Sequence, residues 1–269
     1  MRSTIDHTAN PGRMAGRPSV HRMLRTGLTA GFLWIAAGSG APALETAALA
    51  VDEGPPPQTA SEWLAAVRRQ LPREPTWIKG WLSTDNQPML NLDILLELGN
   101  DPSTARYTLR DAFGRDLEEA VLHREDERIR LEYRRGSPLE EAPAPDLFAP
   151  IRQTAMSWGD LNLAFLWWEE GEIVGHDEVR GQACVVIEVV APDDEAGLYD
   201  SVRIWIDRKH RMLLQAEGYN PQGDRVRRMQ VRSFRKIGDE WMVKDIVIRR
   251  FPGILRTNLR VRDMGTVEE

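Results

Sequence analysis

Three histidines and a scatter of carboxylates are what this chain of 269 residues offers for chemistry beyond its first fifty positions. His123, His176 and His210 lie far apart, and none stands in a His-Glu-x-x-His or other metal-ligand spacing. His176 adjoins Asp177 in "GHDEV", but neighbouring residues of a strand face opposite ways, which argues against a proton-transfer pair. "PDDEAGLYD" gathers Asp193, Asp194, Glu195 and Asp200, the oxygen ligands calcium takes. It lacks the ordered spacing of a cation loop and reads as a solvated turn. Neither a Gly-x-Ser-x-Gly elbow nor a Gly-x-x-x-x-Gly-Lys phosphate cradle occurs, and the carboxylates fall in no frame that would mark a glycosidase. The sole cysteine, Cys184 in "QACVVIEVV", reads as a buried strand residue and has no partner for an intrachain disulfide. The residues therefore predict no catalytic site, no metal and no cofactor.

Two physical signals take the place of a catalytic one. The first is a surplus of aromatic bulk, with Trp63, Trp77, Trp81, Trp158, Trp167, Trp168, Trp205 and Trp241 all beyond residue 50. Each such side chain can serve a structural core. Together they can also wall a cavity for hydrocarbon, where non-directional contact contributes roughly 0.8 kcal/mol per buried methylene. A carrier built that way needs no catalytic motif. The second is a cationic C-terminal surface comprising Arg225, Arg227, Arg228, Arg232, Arg235, Lys236, Arg249, Arg250, Arg256, Arg260 and Arg262. It reads either as a solvated outer face whose charges guard strand edges or as a docking face for anionic headgroups or an acidic partner, with Arg228, Arg232, Arg256 and Arg260 as its candidates. Nucleic acid is a poor match, because that face carries no interleaved aromatic residues.

These side chains need elements to position them. "SWGDLNLAFLWWEEG" (157–171) opens with Ser157 as a cap and Asp160 three places on, close to a capping box. At about 100° per residue, Trp158, Leu161, Phe165 and Trp168 share one helical face, while Leu163, Leu166 and Trp167 fall elsewhere. A helix apolar all round must be covered all round, and this one is too short to span a bilayer. "TASEWLAAVRRQLP" predicts a second helix, capped at Thr59 or Ser61, striped by Trp63, Leu64, Val67 and Leu71, and stopped by Pro72. The rest reads as about a dozen strands separated by well-signalled turns. Leu90, Leu92, Ile94 and Leu96 alternate with Asn91, Asp93 and Leu95. Val202, Ile204 and Ile206 oppose Arg203, Trp205 and Asp207. Leu255, Thr257, Leu259 and Val261 oppose Arg256, Asn258, Arg260 and Arg262. Each such strand has one dry and one wet face.

The fold class expected is mainly β with few helices: a long antiparallel meander curled into a half-open β-barrel and closed by a helical lid. The lid and cavity candidates are Trp158, Leu161, Phe165 and Trp168, facing Trp81, Leu92, Ile94, Ile204 and Leu259.

The first fifty residues differ from the rest. Arg13, Arg17, Arg22 and Arg25 precede the apolar "GLTAGFLWIAAG", and Ala-x-Ala pairs follow at Ala41/Ala43 and Ala48/Ala50. Residues 1–50 thus read as a secretory signal peptide cut after Ala50 or after Ala43, with an uncleaved N-terminal anchor as the alternative, residues 51–58 as a flexible leader, and residues 59–269 as one domain. Five arginines and two acids lie in the first fifty positions, so the remainder carries a net charge of −9 against −6 for the whole chain. The expected product is a soluble monomer exported to the periplasm.

Certain stretches resemble a known family. "TAMSWGDLNLAFLWW", "VRIWIDRKHRMLLQAEGYNPQGDRVRRMQV" and "GDEWMVKDIVIRR", in that order after a short helix and a meander, are similar to the outer-membrane lipoprotein-sorting proteins of the LolA-like superfamily. The likeness runs roughly from Ala60 to Asp263. It implies a half-open barrel whose lid helix maps onto Trp158, Leu161, Phe165 and Trp168, with a buried arginine tying lid to barrel. No one arginine is singled out for that role by the sequence. It further implies a carrier of lipoprotein acyl chains or other lipids, working between an inner-membrane exporter and an outer-membrane acceptor without covalent chemistry. The alternative is a periplasmic regulator or interaction module that senses lipid or docks on a membrane transporter.

Overall fold

Thr59 starts the first element of the computed structural model, which describes residues 56–99, 103–125, 128–192, 198–237, 240–253 and 255–267. The predicted signal peptide, the first part of the leader and Asp193, Asp194 and Glu195 of the acidic turn lie outside the described residues. The Thr59 hydroxyl accepts the Glu62 N–H at 3.2 Å and the Glu62 carboxylate accepts the Thr59 N–H in return. This reciprocal cap satisfies two amides that the helix itself leaves unpaired. Helix α1 (Ala60–Arg68) buries Trp63, Leu64 and Val67 and leaves its charged side to solvent.

The strands are β1 (Thr76–Thr84), β2 (Leu90–Glu97), β3 (Ser103–Arg110), β4 (Asp116–Glu125), β5 (Arg128–Arg135), β6 (Glu140–Glu141), β7 (Gly171–Val179), β8 (Gln182–Val190), β9 (Ser201–Asp207), β10 (Leu213–Tyr219), β11 (Arg225–Ile237), β12 (Glu240–Arg250) and β13 (Leu255–Thr266). They form one antiparallel sheet in the order β6-β5-β4-β3-β2-β1-β13-β12-β11-β10-β9-β8-β7. Two meanders are thus zipped together by β1 against β13, with Leu82 opposite Leu259 and Thr84 opposite Thr257. The sheet curls without closing, since β6 and β7 stand at its two ends. One end is blunted by brevity and charge, as β6 is only Glu140 and Glu141.

The alternation read from the sequence places the core. Leu92, Leu109, Leu122, Ile187, Ile204, Ile248 and Leu259 point to the concave side, where they meet the segment that links β6 to β7. The convex side is drier than alternation predicts. Trp205 and Asp207 are buried at 8% and 4% exposure rather than wet. Trp205 joins Val179, Cys184, Val186, Leu214 and Phe234 in a second small cluster, and its indole N–H donates to Asp177 at 2.9 Å. The β7–β8 turn reaches over that face, with the Arg180 guanidinium donating to the Val231 carbonyl at 3.4 Å. A strand pattern cannot register such a cover, because the covering turn comes from elsewhere in the chain.

Cys184 sits in this cluster with no exposed surface, and burial pushes its thiol up to about 11. The thiolate is the reactive form. A thiol reagent at pH 8 is therefore expected to leave Cys184 unmodified in the folded protein and to label it fully in denaturant. Mass spectrometry of the two samples checks this.

Candidate functional site

The residues predicted to form one lid helix form a broken plug. The α-helix α2 (Trp158–Asn162) lasts little more than a turn. Leu163 adopts a left-handed conformation (φ 51°), and a 3₁₀ turn over Ala164–Trp167 follows. A straight helix offers one face to the sheet. The break turns the chain so that Trp158, Phe165 and Trp168 are all buried within the curl, while Leu161, Leu163 and Trp167 are partly buried around them. The plug does not rest on the barrel mouth. It supplies the middle of the core.

Polar bonds hold it in place. Ser157 and Asp160 make the reciprocal cap suggested by their spacing, the Ser157 hydroxyl accepting the Asp160 N–H at 3.1 Å and the Asp160 carboxylate accepting the Ser157 N–H at 2.9 Å. Asp160 does more than cap. It is 4% exposed, and it also accepts the Tyr199 hydroxyl at 2.8 Å and the Arg227 guanidinium at 2.5 Å. Arg227 is 1% exposed and donates a second bond to the Phe148 carbonyl at 3.4 Å. Burial works against the charge of Arg227, but Asp160 beside it prevails and holds its pKa above the ordinary arginine range. Burial, reinforced by the Asp160 charge, keeps the Tyr199 hydroxyl well above the usual tyrosine range, so it remains a donor.

Two aromatic rings brace this latch. Phe148 and Tyr199 lie with centroids 4.6 Å apart, and each is seated on a glycine. A Cβ on Gly159 would meet the Phe148 ring at 2.4 Å, and one on Gly218 would meet the Tyr199 ring at 2.4 Å. No other residue type permits that approach without displacing a buried ring. The loop before the plug is anchored separately. The Ala155 N–H donates to the Thr257 hydroxyl at 2.8 Å, and Thr257 shares a 2.8 Å bond with Thr84. Thr257→Val would orphan both partners in a buried place. We expect it to cost about 2 kcal/mol and to lower the melting temperature by roughly 4–8 °C, measurable by calorimetry.

A hollow of about 150 Å³ remains beside the plug. Leu161 and Leu163 of the plug, Val67 and Leu71 near α1, Ile94 of β2 and Leu259 of β13 are among its walls. Trp158 borders a more polar groove of about 710 Å³ that also takes in Thr84, Glu118, Tyr133 and Arg152. The Arg152–Glu118 ion pair spans 3.1 Å there.

Of the predicted cavity residues, Leu161, Ile94 and Leu259 line the apolar hollow. Trp158, Phe165, Trp168, Leu92 and Ile204 lie in the core that plug and sheet share. Trp81 does not belong with them. It alternates with the buried Ile78 and Leu82, so it lies on the convex side, where its strand neighbours are Asn91 and Arg260. Aromatic bulk nominates it, and strand parity excludes it.

Arg227 is a second correction. Counted by sequence among the outer arginines, it points inward with Met229 and Val231. Its ion pair with Asp160 ties plug to barrel. Of the predicted docking residues, Arg228 and Arg256 lie in one outer row with Arg249 between them. Arg228 is engaged by Glu217. Arg260 pairs with Asp245 at 3.4 Å, and Arg232 stands at a register shift in β11. His176 is exposed, and His210 is buried against Asp207 at 2.5 Å. Among the described residues no group of three or more His, Cys, Asp or Glu side chains is placed to hold a metal, and no helix is long and apolar enough to cross a membrane.

Comparison with known proteins places this architecture. A family model described only as that of an uncharacterized protein matches residues 146–268. No curated protein matches the sequence. Solved structures do. A DUF1329 family protein from Desulfovibrio piger superposes with a TM-score of 0.66 at 13% identity, over 77% of this chain and 91% of that one. A LolA superfamily protein from Nitrosomonas europaea gives 0.63 at 14% identity, over 79% and 96%. An outer membrane lipoprotein-sorting protein domain from Vibrio parahaemolyticus gives 0.63 at 14% identity, over 77% and 94%. The fold is LolA-like: an open, curled antiparallel sheet around a short helical segment.

Proposed function

We propose that this protein is a periplasmic carrier whose curled sheet binds the acyl chains of lipoproteins or of other lipids, with no covalent step. One observation carries the reading. The apolar interior is filled by residues 157–168, a segment outside the sheet that is latched through the buried Asp160–Arg227 ion pair and leaves an apolar hollow beside it. A hollow of about 150 Å³ has room for a ligand about the size of benzene. An acyl chain needs the plug to give way. A chain of about sixteen carbons gains on the order of 12 kcal/mol from burial of its methylenes, while removal of one partner of a buried ion pair costs roughly 3–5 kcal/mol. Displacing the plug also exposes Trp158, Phe165 and Trp168, at about 1.5–3 kcal/mol each, so cargo of that length roughly balances the latch and the rings together, and the returning plug releases it. An inner-membrane exporter would load the cargo and an outer-membrane acceptor would take it.

Protein isolated from its own periplasm and extracted with organic solvent should yield acyl species by mass spectrometry in amounts approaching one per chain. Preparations that are consistently empty would count against the carrier.

The regulator reading has an observation of its own. Arg249 and Arg256 face each other directly across β12 and β13. Among the described residues neither has a carboxylate within salt-bridge reach. Like charges directly opposite are destabilising, and an acidic segment of a membrane partner would relieve that cost. A stable complex with one inner-membrane protein, formed by lipid-free protein and lost in Arg249→Glu, would favour this second reading.

A further inference from the structure

Burial leaves two hydrogen-bond donors idle in the wall of the apolar hollow. Tyr107, at 1% exposure, projects from β3 into the concave side, and its hydroxyl is buried without a partner among the described residues. Trp241, near the start of β12, has its indole N–H buried and likewise unpartnered among the described residues. Both side chains line the same hollow. Apart from Gln70, the remaining side chains of the wall are aliphatic, proline, methionine or phenylalanine. An orphaned buried donor is rare in native proteins and calls for an explanation. A cavity meant only for hydrocarbon would be served better by phenylalanine at both places. Indole N–H can only donate, and a buried tyrosine hydroxyl donates readily. Burial holds the Tyr107 hydroxyl above its usual range, with Arg124 pulling less strongly the other way, so the proton stays in place. What would complete this wall is an acceptor oxygen embedded in an apolar body.

We propose that Tyr107 and Trp241 are specificity determinants that bind the carbonyl oxygens of an acyl ligand, so that the hollow receives the ester or carboxyl end of the cargo rather than the bare hydrocarbon tail. The inference rests on the carrier reading and adds to it an orientation and a ligand class. Ester and free carboxylate share the acceptor chemistry, and the probes separate them.

Binding of methyl decanoate, decanoate and n-undecane to the mature protein is measured by equilibrium partition with mass-spectrometric readout. For Tyr107→Phe and Trp241→Phe, the affinity of the carbonyl-bearing probe should fall about tenfold, the worth of a buried hydrogen bond. The affinity for n-undecane should hold or rise. A loss confined to methyl decanoate assigns the wall to esters, and a loss confined to decanoate assigns it to free carboxylates. The ligand-free Tyr107→Phe protein should melt no lower than wild type, because the hydroxyl it lacks has no partner to lose. Equal losses for n-undecane and the carbonyl probes would reduce both residues to packing and overturn the proposal. So would an unchanged affinity for both carbonyl probes, or a clear fall in ligand-free melting temperature. Failure of wild type to bind any of the three would remove the carrier reading as well, whereas binding without discrimination removes this inference alone.

Discussion

Arg227→Met should lower the melting temperature by about 10 °C and open the interior to hydrophobic dye. Asp160 is buried at the centre of the plug and accepts bonds from Ser157, Tyr199 and Arg227. Removing the guanidinium leaves a carboxylate uncompensated in the core, and breaking a buried ion pair from one side costs roughly 3–5 kcal/mol. For a domain of this size each kcal/mol is worth about 2–4 °C. The effect belongs to the pair, so a double-mutant cycle exposes it. The substitution Asp160→Asn keeps one oxygen for the Ser157 donors on Oδ2, and its NH2 group can donate to the Tyr199 hydroxyl in place of Oδ1, while the charge is removed. Asp160→Asn combined with Arg227→Met should therefore be more stable than Arg227→Met alone. Strict additivity in calorimetry, or an unchanged dye signal in Arg227→Met, would mean that the plug is held by apolar contact and the latch is incidental.

Strand parity made much of this architecture readable in advance. Leu92, Ile204 and Leu259 fall on the concave side as their alternation requires, and the Ser157–Asp160 spacing identifies the cap that the structure forms. Where pattern misleads, long-range contact overrides it. Leu163 interrupts the helix because the plug must meet walls on more than one side, and nothing in "LNLAFLWW" announces a left-handed residue. Trp205 is dry because the β7–β8 turn covers it from the outside.

Other features left a signal that could have been used. Arg227 shares its parity with Met229 and Val231, so β11 itself put one arginine of its basic run inside. Asp160, the one charged residue between Ser157 and Trp168 on a segment due for burial, required a buried cation somewhere in the chain. Gly218, next to last in a strand buried from Leu213 up to Tyr219, marked the seat of a large ring, which proves to be Tyr199. Reading those three residues together would have located the latch. The idle donors Tyr107 and Trp241 could not have been found that way, since only a three-dimensional inventory of partners shows which buried groups lack one.

Phe165→Asp should end lipid retention while the strand signature of the sheet persists in circular dichroism. Phe165 is 2% exposed in the 3₁₀ turn of the plug and borders a small void together with Asp160, Tyr199 and Arg227. Loss of the ring alone costs about 3–5 kcal/mol. The new carboxylate adds a worse problem, because Arg227, the cation nearest to it across that void, is already held by Asp160. The segment then has two courses. It can swing out to hydrate the charge, which dismantles the wall that holds cargo, or the introduced carboxylate can compete for Arg227, which loosens the latch. Either course reduces co-purified acyl species by more than about tenfold, the equivalent of a loss of roughly 1.4 kcal/mol in binding. Phe165→Leu, which keeps the site apolar, should retain cargo at near wild-type levels. Adding Asp160→Asn to Phe165→Asp separates the two courses. If the new carboxylate captures Arg227, the double variant regains stability beyond additivity, and if the segment swings out, the two losses sum. Retention undiminished in Phe165→Asp, with the substitution verified in the folded protein, would show that cargo is held somewhere other than beneath the plug.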